Sequence, residues 1–497
     1  MDTYSYKLAE YSEIVQKDFV QVFRDKHRSL ANCTALIEEQ RQVTFGEFWQ
    51  ETDKYTDFLK KTGLRKGHVV AIVCPMPSIY VVELLMACMQ LGAAPLVINL
   101  SDKFQKLEPE DAKAFGYIVH KDFQNHIPIA TAMTYGKETP IGGQLLWREL
   151  NASENAVPTD AALLVTSSGS TNSKKIIKCS QENILTNIKS NIAALGIRRQ
   201  DRTLMVLPLT YSYGLVAQFL SHFMMGSTVV FSNKWLIANS VIEIISRYQI
   251  NSVFTVPPVF RQINFLLERF GHLYRNKYSW SSLRYITVGG NHIESSAITK
   301  ALKLFDCPIV KTYGLAEAGP RISTNIITSA NDAIESVGYP LNGVRVNAMA
   351  ENGEILPAGL IGSLLIHTPS ASIGYLHRHA NGLRIEDRNI FTHDVGYVNK
   401  EGRITVIGRK GGMVHLPGAD PIWQNELADT LHTQFCILKL RTEQNADGRL
   451  SVEIAPMPNY KFKDSDIRQS IAEKLGASVM PYIDVAFPKI NQIKLDK

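Results

Sequence analysis

The 497-residue sequence has six cysteines (Cys33, Cys74, Cys88, Cys179, Cys307 and Cys436) and no two of them stand in C-x-x-C spacing. That excludes a zinc module and a disulfide framework, and leaves thiols of the reduced, buried kind expected in a cytoplasmic protein. An unbroken apolar run is also missing. The richest stretch, LMVLPLTYSYGLVAQFLSHFMMGSTVVF, is interrupted by Pro208, Gln218, Ser221 and His222, so it reads as buried strand, turn and helix rather than a membrane span. MDTYSYKLAEYSE carries no basic segment ahead of an apolar one, and no signal peptide is expected. Charge of one sign is scarce. A net +6 suits an anionic small ligand or an acidic partner, and falls short of a nucleic-acid binder. Repeats, low-complexity tracts and the G-x-x-x-x-G-K-[ST] phosphate loop are absent as well. What remains is an ordinary globular composition, 45% hydrophobic and 20% charged.

Within that composition one stretch asks for an explanation. In VTSSGSTNSKKII, residues 165–177, a buried-strand run ends at Val165 and is followed by hydroxyl side chains around Gly169, then by two lysines. Hydroxyls, free backbone N–H groups and a nearby lysine can hold phosphate oxygens, and a solvated Ser/Thr loop is the plain alternative. The surrounding pattern is α/β. Residues 43–101 alternate an amphipathic helix, the buried strand HVVAIVCP, the helix SIYVVELLMACMQLG and the strand APLVINL. RTLMVLPL, STVVFSN, SVIEIISRYQI, NSVFTVPP, SLRYITVGG and CPIVKTYG repeat the alternation, which predicts doubly wound parallel sheets. From about residue 336 the texture changes to short strands with Gly and Asn turns, which predicts an antiparallel sheet or small β-barrel-like subdomain. Residues 410–497 read as a small, mobile α+β unit. The predicted division is 1–408 and 409–497, with a hinge at 409–412 inside the glycine-rich GRKGGMVHLPG.

Several ordered motifs together resemble the adenylate-forming superfamily, which comprises acyl-CoA synthetases, adenylation domains and luciferases. Ser167, Ser168, Gly169, Ser170, Thr171 and Lys175 resemble its phosphate loop, T-S-G-[ST]-T-G-x-P-K-G, while Asn172, Lys174 and Ile176 depart from it. KTYGLAEAG resembles Y-G-x-T-E, so the resemblance implies that Tyr313, followed by Gly314, stacks on adenine and that Glu317 helps hold Mg²⁺; Ala316 replaces the threonine. Gly289 and Gly290 match the turn that lets backbone approach purine and acyl group. FTHDVGYVNKEGRITVIGR matches T-G-D-x-G…G-R, which implies that Asp394 accepts the ribose hydroxyls and Arg409 approaches ribose and phosphate; His393 stands where glycine is usual. FPKINQIKLDK matches L-P-x-T-x-[ST]-G-K-[IL]-D-R, placing Lys494 as the catalytic lysine, with Ile493 in place of glycine.

The reaction so implied is ATP- and Mg²⁺-dependent conversion of a carboxylic acid to an acyl-adenylate, with Lys494, Glu317 and Lys175 as its catalytic residues. Transfer to the thiol of coenzyme A or of a phosphopantetheine-bearing carrier protein follows. PLTYSYGL aligns with the acid-pocket turn. Ser212 replaces the aspartate with which amino-acid-activating relatives bind an α-ammonium, and it cannot offset the burial of a cation. Tyr211 and Tyr213, with Gly290, form the predicted substrate wall. An aryl or medium acyl acid with an uncharged tail is therefore expected, an amino acid being the alternative. A second alternative is a catalytically altered member that binds nucleotide or assembles with a partner. Met413–Gly418, MVHLPG, replaces the lysine-containing M-I-K-x-x-G of the small domain, and the loop ADPIWQNEL is also atypical. No nucleic-acid partner is expected.

Overall fold

A computed structural model describes residues 18–73, 77–99, 114–120, 135–141, 145–150, 161–167, 175–232, 238–377, 382–458 and 460–488. Among these, two mixed sheets dominate. The larger runs, in spatial order, Tyr339–Pro340, Arg321–Ile327, Ile309–Gly314, Tyr285–Val288, Ser252–Thr255, Arg202–Met205, Thr228–Phe231, Thr34–Glu38 and Arg41–Thr44. Its strands from Ile309–Gly314 to Thr34–Glu38 are parallel, and the edges are antiparallel. The second sheet runs Tyr135–Ile141, Leu145–Leu150, Gly116–His120, Val69–Val73, Ala94–Ile98, Leu163–Thr166 and Ile176–Cys179, and its four central strands are parallel. The central strands consist almost wholly of buried apolar residues, as a sheet covered on both faces requires.

Helices follow the strands as the alternation predicts. Phe45–Lys61 starts on Thr44, whose hydroxyl accepts from the Glu47 N–H while Glu47 reaches back to the Thr44 N–H, a reciprocal capping box. Ile79–Gln90 is apolar nearly all round because it lies inside the core. Phe23, Phe45, Phe48, Phe219 and Phe223 pack with it, joining the layers of both sheets in one core. The stretch from Arg202 to Phe231 forms the strand, turn, helix and strand expected of it. Its helix opens with a π-helical segment, Tyr213–Leu220, before the α-helical Ser221–Met225. Among the described residues no helix is long and apolar enough to cross a membrane.

Beyond residue 340 the strands Arg345–Met349, Gly362–His367, Arg384–Glu386, Asn389–Val398 and Ile404–Arg409 pair antiparallel. No ring of strand pairing closes among the described residues, so this subdomain is the antiparallel sheet of the two predicted forms. Ile437–Gln444, Leu450–Pro456 and Ile483–Ala486 form a further three-stranded sheet beside helices Gln424–Gln434 and Asp464–Leu475. Its core of Leu427, Leu431, Val452, Ile454, Ile467 and Ile471 is separate from the others. His292 Nε2 lies 2.7 Å from Asp429 Oδ1, and Ser296 Oγ lies 3.0 Å from Thr433 Oγ1, which ties this unit to the larger one.

Candidate active site

Of the described predicted residues, Ser167, Tyr211, Ser212, Tyr213, Gly289, Gly290, Tyr313, Gly314 and Glu317 lie at or beyond the carboxyl ends of parallel strands, where open α/β sheets leave a crevice. Asp394 and Arg409 come from the antiparallel sheet. Strands Leu163–Thr166 and Ile176–Cys179 pair with Thr166 opposite Ile176, and the Ser167 N–H donates to the Lys175 carbonyl at 2.9 Å. The strands on either side of the hydroxyl-rich stretch are thus antiparallel partners, paired up to Ser167 and Lys175. Ser167 is buried, its Oγ without a hydrogen-bond partner among the described residues, and Lys175 is half-buried. Ser168, Gly169, Ser170, Thr171, Asn172 and Lys174 lie outside the described residues, as do Ile493 and Lys494.

A chain of contacts links this strand pair to the other motifs. Thr166 Oγ1 donates to the Thr210 carbonyl at 3.1 Å, and Thr166 bridges Tyr211, joining the strand pair to the PLTYSYGL turn. Ser212 is buried at the start of the π-helical segment, a feature that often marks functional sites. Tyr213 hydrogen-bonds Thr287 Oγ1 at 2.7 Å. A Cβ on Gly290 would lie 3.5 Å from Val256 Cγ1 and 3.9 Å from the Tyr213 ring, so the PLTYSYGL turn and the glycine turn are neighbours. At Gly289 a Cβ would come within 2.1 Å of Thr312 Oγ1. Only glycine permits that approach to the strand that ends in Tyr313 and Gly314.

Tyr313 and Arg409 converge on Asp394. The Tyr313 hydroxyl donates to Oδ2 at 2.5 Å and Arg409 Nε donates to Oδ1 at 3.0 Å. Asp394 is only 4% exposed. Its strand register sets Arg409 directly opposite, so the Asp394–Arg409 pair is built into the sheet. Burial and the adjacent carboxylate push the Tyr313 phenol well above its ordinary pKa, so it remains a donor. Each carboxylate oxygen of Asp394 still has an acceptor direction to spare, which leaves capacity for a diol. His393, next in the chain, is exposed, and its carbonyl accepts from the Lys410 N–H.

Glu317 sits in the short helical turn Ala316–Ala318 and is 6% exposed. Tyr375 donates to Oε1 at 2.8 Å, and the Tyr375 oxygen in turn accepts from the Leu383 N–H. Among the described residues no group of three or more His, Cys, Asp or Glu side chains could hold a metal ion. A single buried carboxylate with one oxygen engaged fits a Mg²⁺ that arrives with phosphate ligands of its own, and does not fit a resident metal centre.

Three residues escaped the motif reading. Tyr375 orients Glu317 from a distant loop. Asn187 donates to the carbonyls of Ala318 and Arg321 and accepts from the Arg321 N–H, clamping the segment that follows Glu317. Arg321, 2% exposed, has its guanidinium carbon 5.4 Å from the centre of the Tyr213 ring and 5.9 Å from that of Phe254. No spacing rule points to Tyr375 or Asn187. Arg321 did carry a signal, a charge at the start of RISTNII, in which isoleucines flank small polar residues.

The AMP-binding enzyme family matches residues 23–376, well over half of the chain. The chain belongs to that family. AMP-binding relatives include the 2-succinylbenzoate–CoA ligase of Bacillus pumilus (strain SAFR-032). It is 26% identical over 414 residues, covering 80% of this chain and 79% of that protein. A feruloyl-CoA synthase of Amycolatopsis sp is 24% identical, covering 82% of this chain and 81% of that protein. In fold, the chain is similar to the anthranilate CoA ligase AuaEII in complex with anthranoyl-AMP, with a TM-score of 0.78, 20% identity, and coverage of 97% and 96% of the two chains. It is also similar to the O-succinylbenzoate coenzyme A synthetase of Bacillus subtilis in complex with ATP and magnesium ion. There the TM-score is 0.73, with 19% identity and coverage of 96% and 97%.

Proposed function

We propose that the protein is an AMP-forming acid–thiol ligase acting on an aryl or medium acyl carboxylic acid. In the first step a carboxylate oxygen bonds to the α-phosphorus of ATP and the bond to the pyrophosphate leaving group breaks. In the second a thiol takes the acyl group and AMP departs. Coenzyme A is the acceptor favoured by the CoA-ligase relatives, with a carrier-protein phosphopantetheine as the second candidate.

The observation that carries this reading is Asp394 with Tyr313 and Arg409 on its two oxygens, a carboxylate held rigid where a ribose diol requires two acceptors. Tyr313 supplies a flat face for adenine. Ser167, Lys175 and the intervening hydroxyl loop would hold the β- and γ-phosphates. Glu317, steadied by Tyr375, would hold Mg²⁺, which supplies charge neutralisation of the phosphates. Lys494 would stand between carboxylate and α-phosphate. These roles need positioning and positive charge and no covalent bond to the protein. Domain units of 1–408 and 409–497, pivoting at 409–412, would present the C-terminal unit differently in the two steps.

ATP–pyrophosphate exchange with a panel of acids tests the reading. Exchange with aryl or medium acyl acids and none with free amino acids is expected. Nucleotide binding without exchange for any acid would instead support an altered, non-catalytic member.

A further inference from the structure

Among the described residues the charge of Arg321 is not answered by an opposite one. Nη1 and Nη2 are buried and have no hydrogen-bond partner among the described residues. The polar groups that bear on the guanidinium are the phenols of Tyr213 and Tyr285, the Tyr213 hydroxyl near enough to act as a weak neutral acceptor without making a well-formed hydrogen bond to Nη1 or Nη2. Among the described residues no carboxylate pairs with it. Burial pulls its pKa below the ordinary arginine value, yet a guanidinium stays protonated in any folded protein. A cation–π contact with Tyr213 recovers part of the lost hydration, and far from all of it.

The neighbouring His222 shows how the same core treats a cation it does not want. It packs edge-on to the same Phe254 ring, 5.5 Å between centroids, and burial drives its pKa down to about 4. Its Nδ1 meets the Gln218 carbonyl at 2.8 Å and its Nε2 meets Ser252 Oγ at 3.1 Å. His222 is therefore neutral and fully partnered. Arginine has no such exit, so a guanidinium buried without an opposite charge is costly until an anion meets it. The backbone is also set for such a role. Asn187 fixes Arg321 through both its N–H and its carbonyl, and Arg321 lies opposite Gly314 at a bulge in the sheet. The guanidinium faces Tyr213 and Phe254, on the acid-pocket side, whereas Tyr313 turns to Asp394.

We infer that Arg321 recognises a second carboxylate, at the end of the acid remote from the carboxyl group that is activated. This rests on the acid-activating reading and narrows its substrate class to dicarboxylic acids with an aryl or medium-length acyl spacer. The planar fork of Nη1 and Nη2 matches a carboxylate in bidentate fashion. The uncharged tail expected from Ser212, Tyr211 and Tyr213 is replaced, because those residues exclude an α-ammonium and are silent about a distal anion.

The test compares acids that differ only in that group, terephthalate with 4-methylbenzoate and suberate with octanoate. Pyrophosphate exchange and calorimetric binding are both measured, for wild type, Arg321→Met and Arg321→Lys. The wild-type enzyme is expected to favour the diacid of at least one pair. Arg321→Met should lower the diacid-to-monoacid ratio of kcat/KM about 10²-fold, and Arg321→Lys should restore part of it. A melting temperature and AMP titration near wild-type values establish that the Met variant is folded. Wild-type preference for the monoacids, or an unchanged ratio in Arg321→Met, overturns the proposal and leaves acid activation standing. Diacid binding that depends on Arg321, with no exchange for any acid, supports the Arg321 site and overturns the activation reading. Neither exchange nor binding overturns both.

Discussion

Asp394 and Arg321 are both charged and both nearly inaccessible, at 4% and 2% exposure, yet among the described residues only Asp394 of the two has its charge met by an opposite one. On the proposed nucleotide side the carboxylate is neutralised by Arg409 and fixed by Tyr313. On the acid side the guanidinium rests on aromatic rings with two nitrogens unmatched. The first wall is complete before any ligand arrives, so it can serve one invariant ligand, the nucleotide. The second is completed by what it binds. A site that supplies all of its own partners is generic, and one that leaves a buried charge open is selective.

The strongest way to break this comparison is to disable the nucleotide side's chemistry without touching either wall. Lys494→Ala removes the cation proposed to bridge carboxylate and α-phosphate. Loss of one preorganised charge of this kind costs about 10²–10³-fold in rate, or roughly 3–4 kcal/mol. Pyrophosphate exchange should fall by that order with every acid, diacid or monoacid alike. Thiol transfer from a presynthesised acyl-adenylate should continue. A loss confined to one class of acid would mean that Lys494 belongs to substrate selection.

Legibility followed the same division. The residues proposed for the nucleotide wall stood out as motifs because backbone geometry ties them to fixed spacings. Gly289 is required by a close approach to Thr312, Asp394 faces Arg409 across one β-ladder, and Ser167 and Lys175, at the two ends of the hydroxyl-rich stretch, are hydrogen-bonded to each other. Such constraints leave motifs. The parallel strands were readable for a similar reason, since burial on both faces writes continuous apolar runs. Tyr375 and Asn187 left no local trace, because each acts on a segment more than fifty residues distant through a single side chain. Arg321 was visible as a charge entering the strand RISTNII, but sequence alone gives no account of whether a partner carboxylate is near. The π-helical start at Tyr213 likewise has no periodic signature that separates it from an ordinary helix.

A second, smaller effect sharpens the contrast between His222 and Arg321. The folded pKa of His222 is near 4 and an unfolded histidine titrates near 6.5. Between those values the unfolded chain takes up a proton that the folded chain refuses, so stability falls as pH drops through that window. The slope is about 1.4 kcal/mol per pH unit for each such histidine. His27, also lowered to about 4, adds a like term: its Nε2 meets the Phe223 carbonyl and its Nδ1 accepts from Trp49. Urea unfolding between pH 6.5 and 5 should show this slope, and His222→Asn should flatten it by about one histidine's share. An unchanged slope in the variant would mean that His222 is charged in the fold, and that this core tolerates unanswered cations generally.

The smallest expected effect concerns how the two walls come to share a C-terminal partner. Gly411 has φ of +89°, and a Cβ placed there would meet nothing within 4 Å. Alanine at 411 therefore creates no clash, and its only penalty is the left-handed backbone, about 1–2 kcal/mol. The turn it occupies is otherwise well tied: Lys410 N–H donates to the His393 carbonyl, and Gln424 N–H donates to the Gly412 carbonyl. If 409–412 is the pivot, the arrangement described here is penalised in Gly411→Ala relative to one in which residue 411 has negative φ. The two half-reactions would then change in opposite directions, their ratio shifting roughly 5–30-fold, as 1–2 kcal/mol implies. Exchange measures the first and thiol transfer from acyl-adenylate the second. Since neither wall is touched, the diacid-to-monoacid ratio should stay at its wild-type value. Equal slowing of both half-reactions would place the pivot elsewhere, and a change in acid preference would mean that the C-terminal unit also contributes to the acid wall.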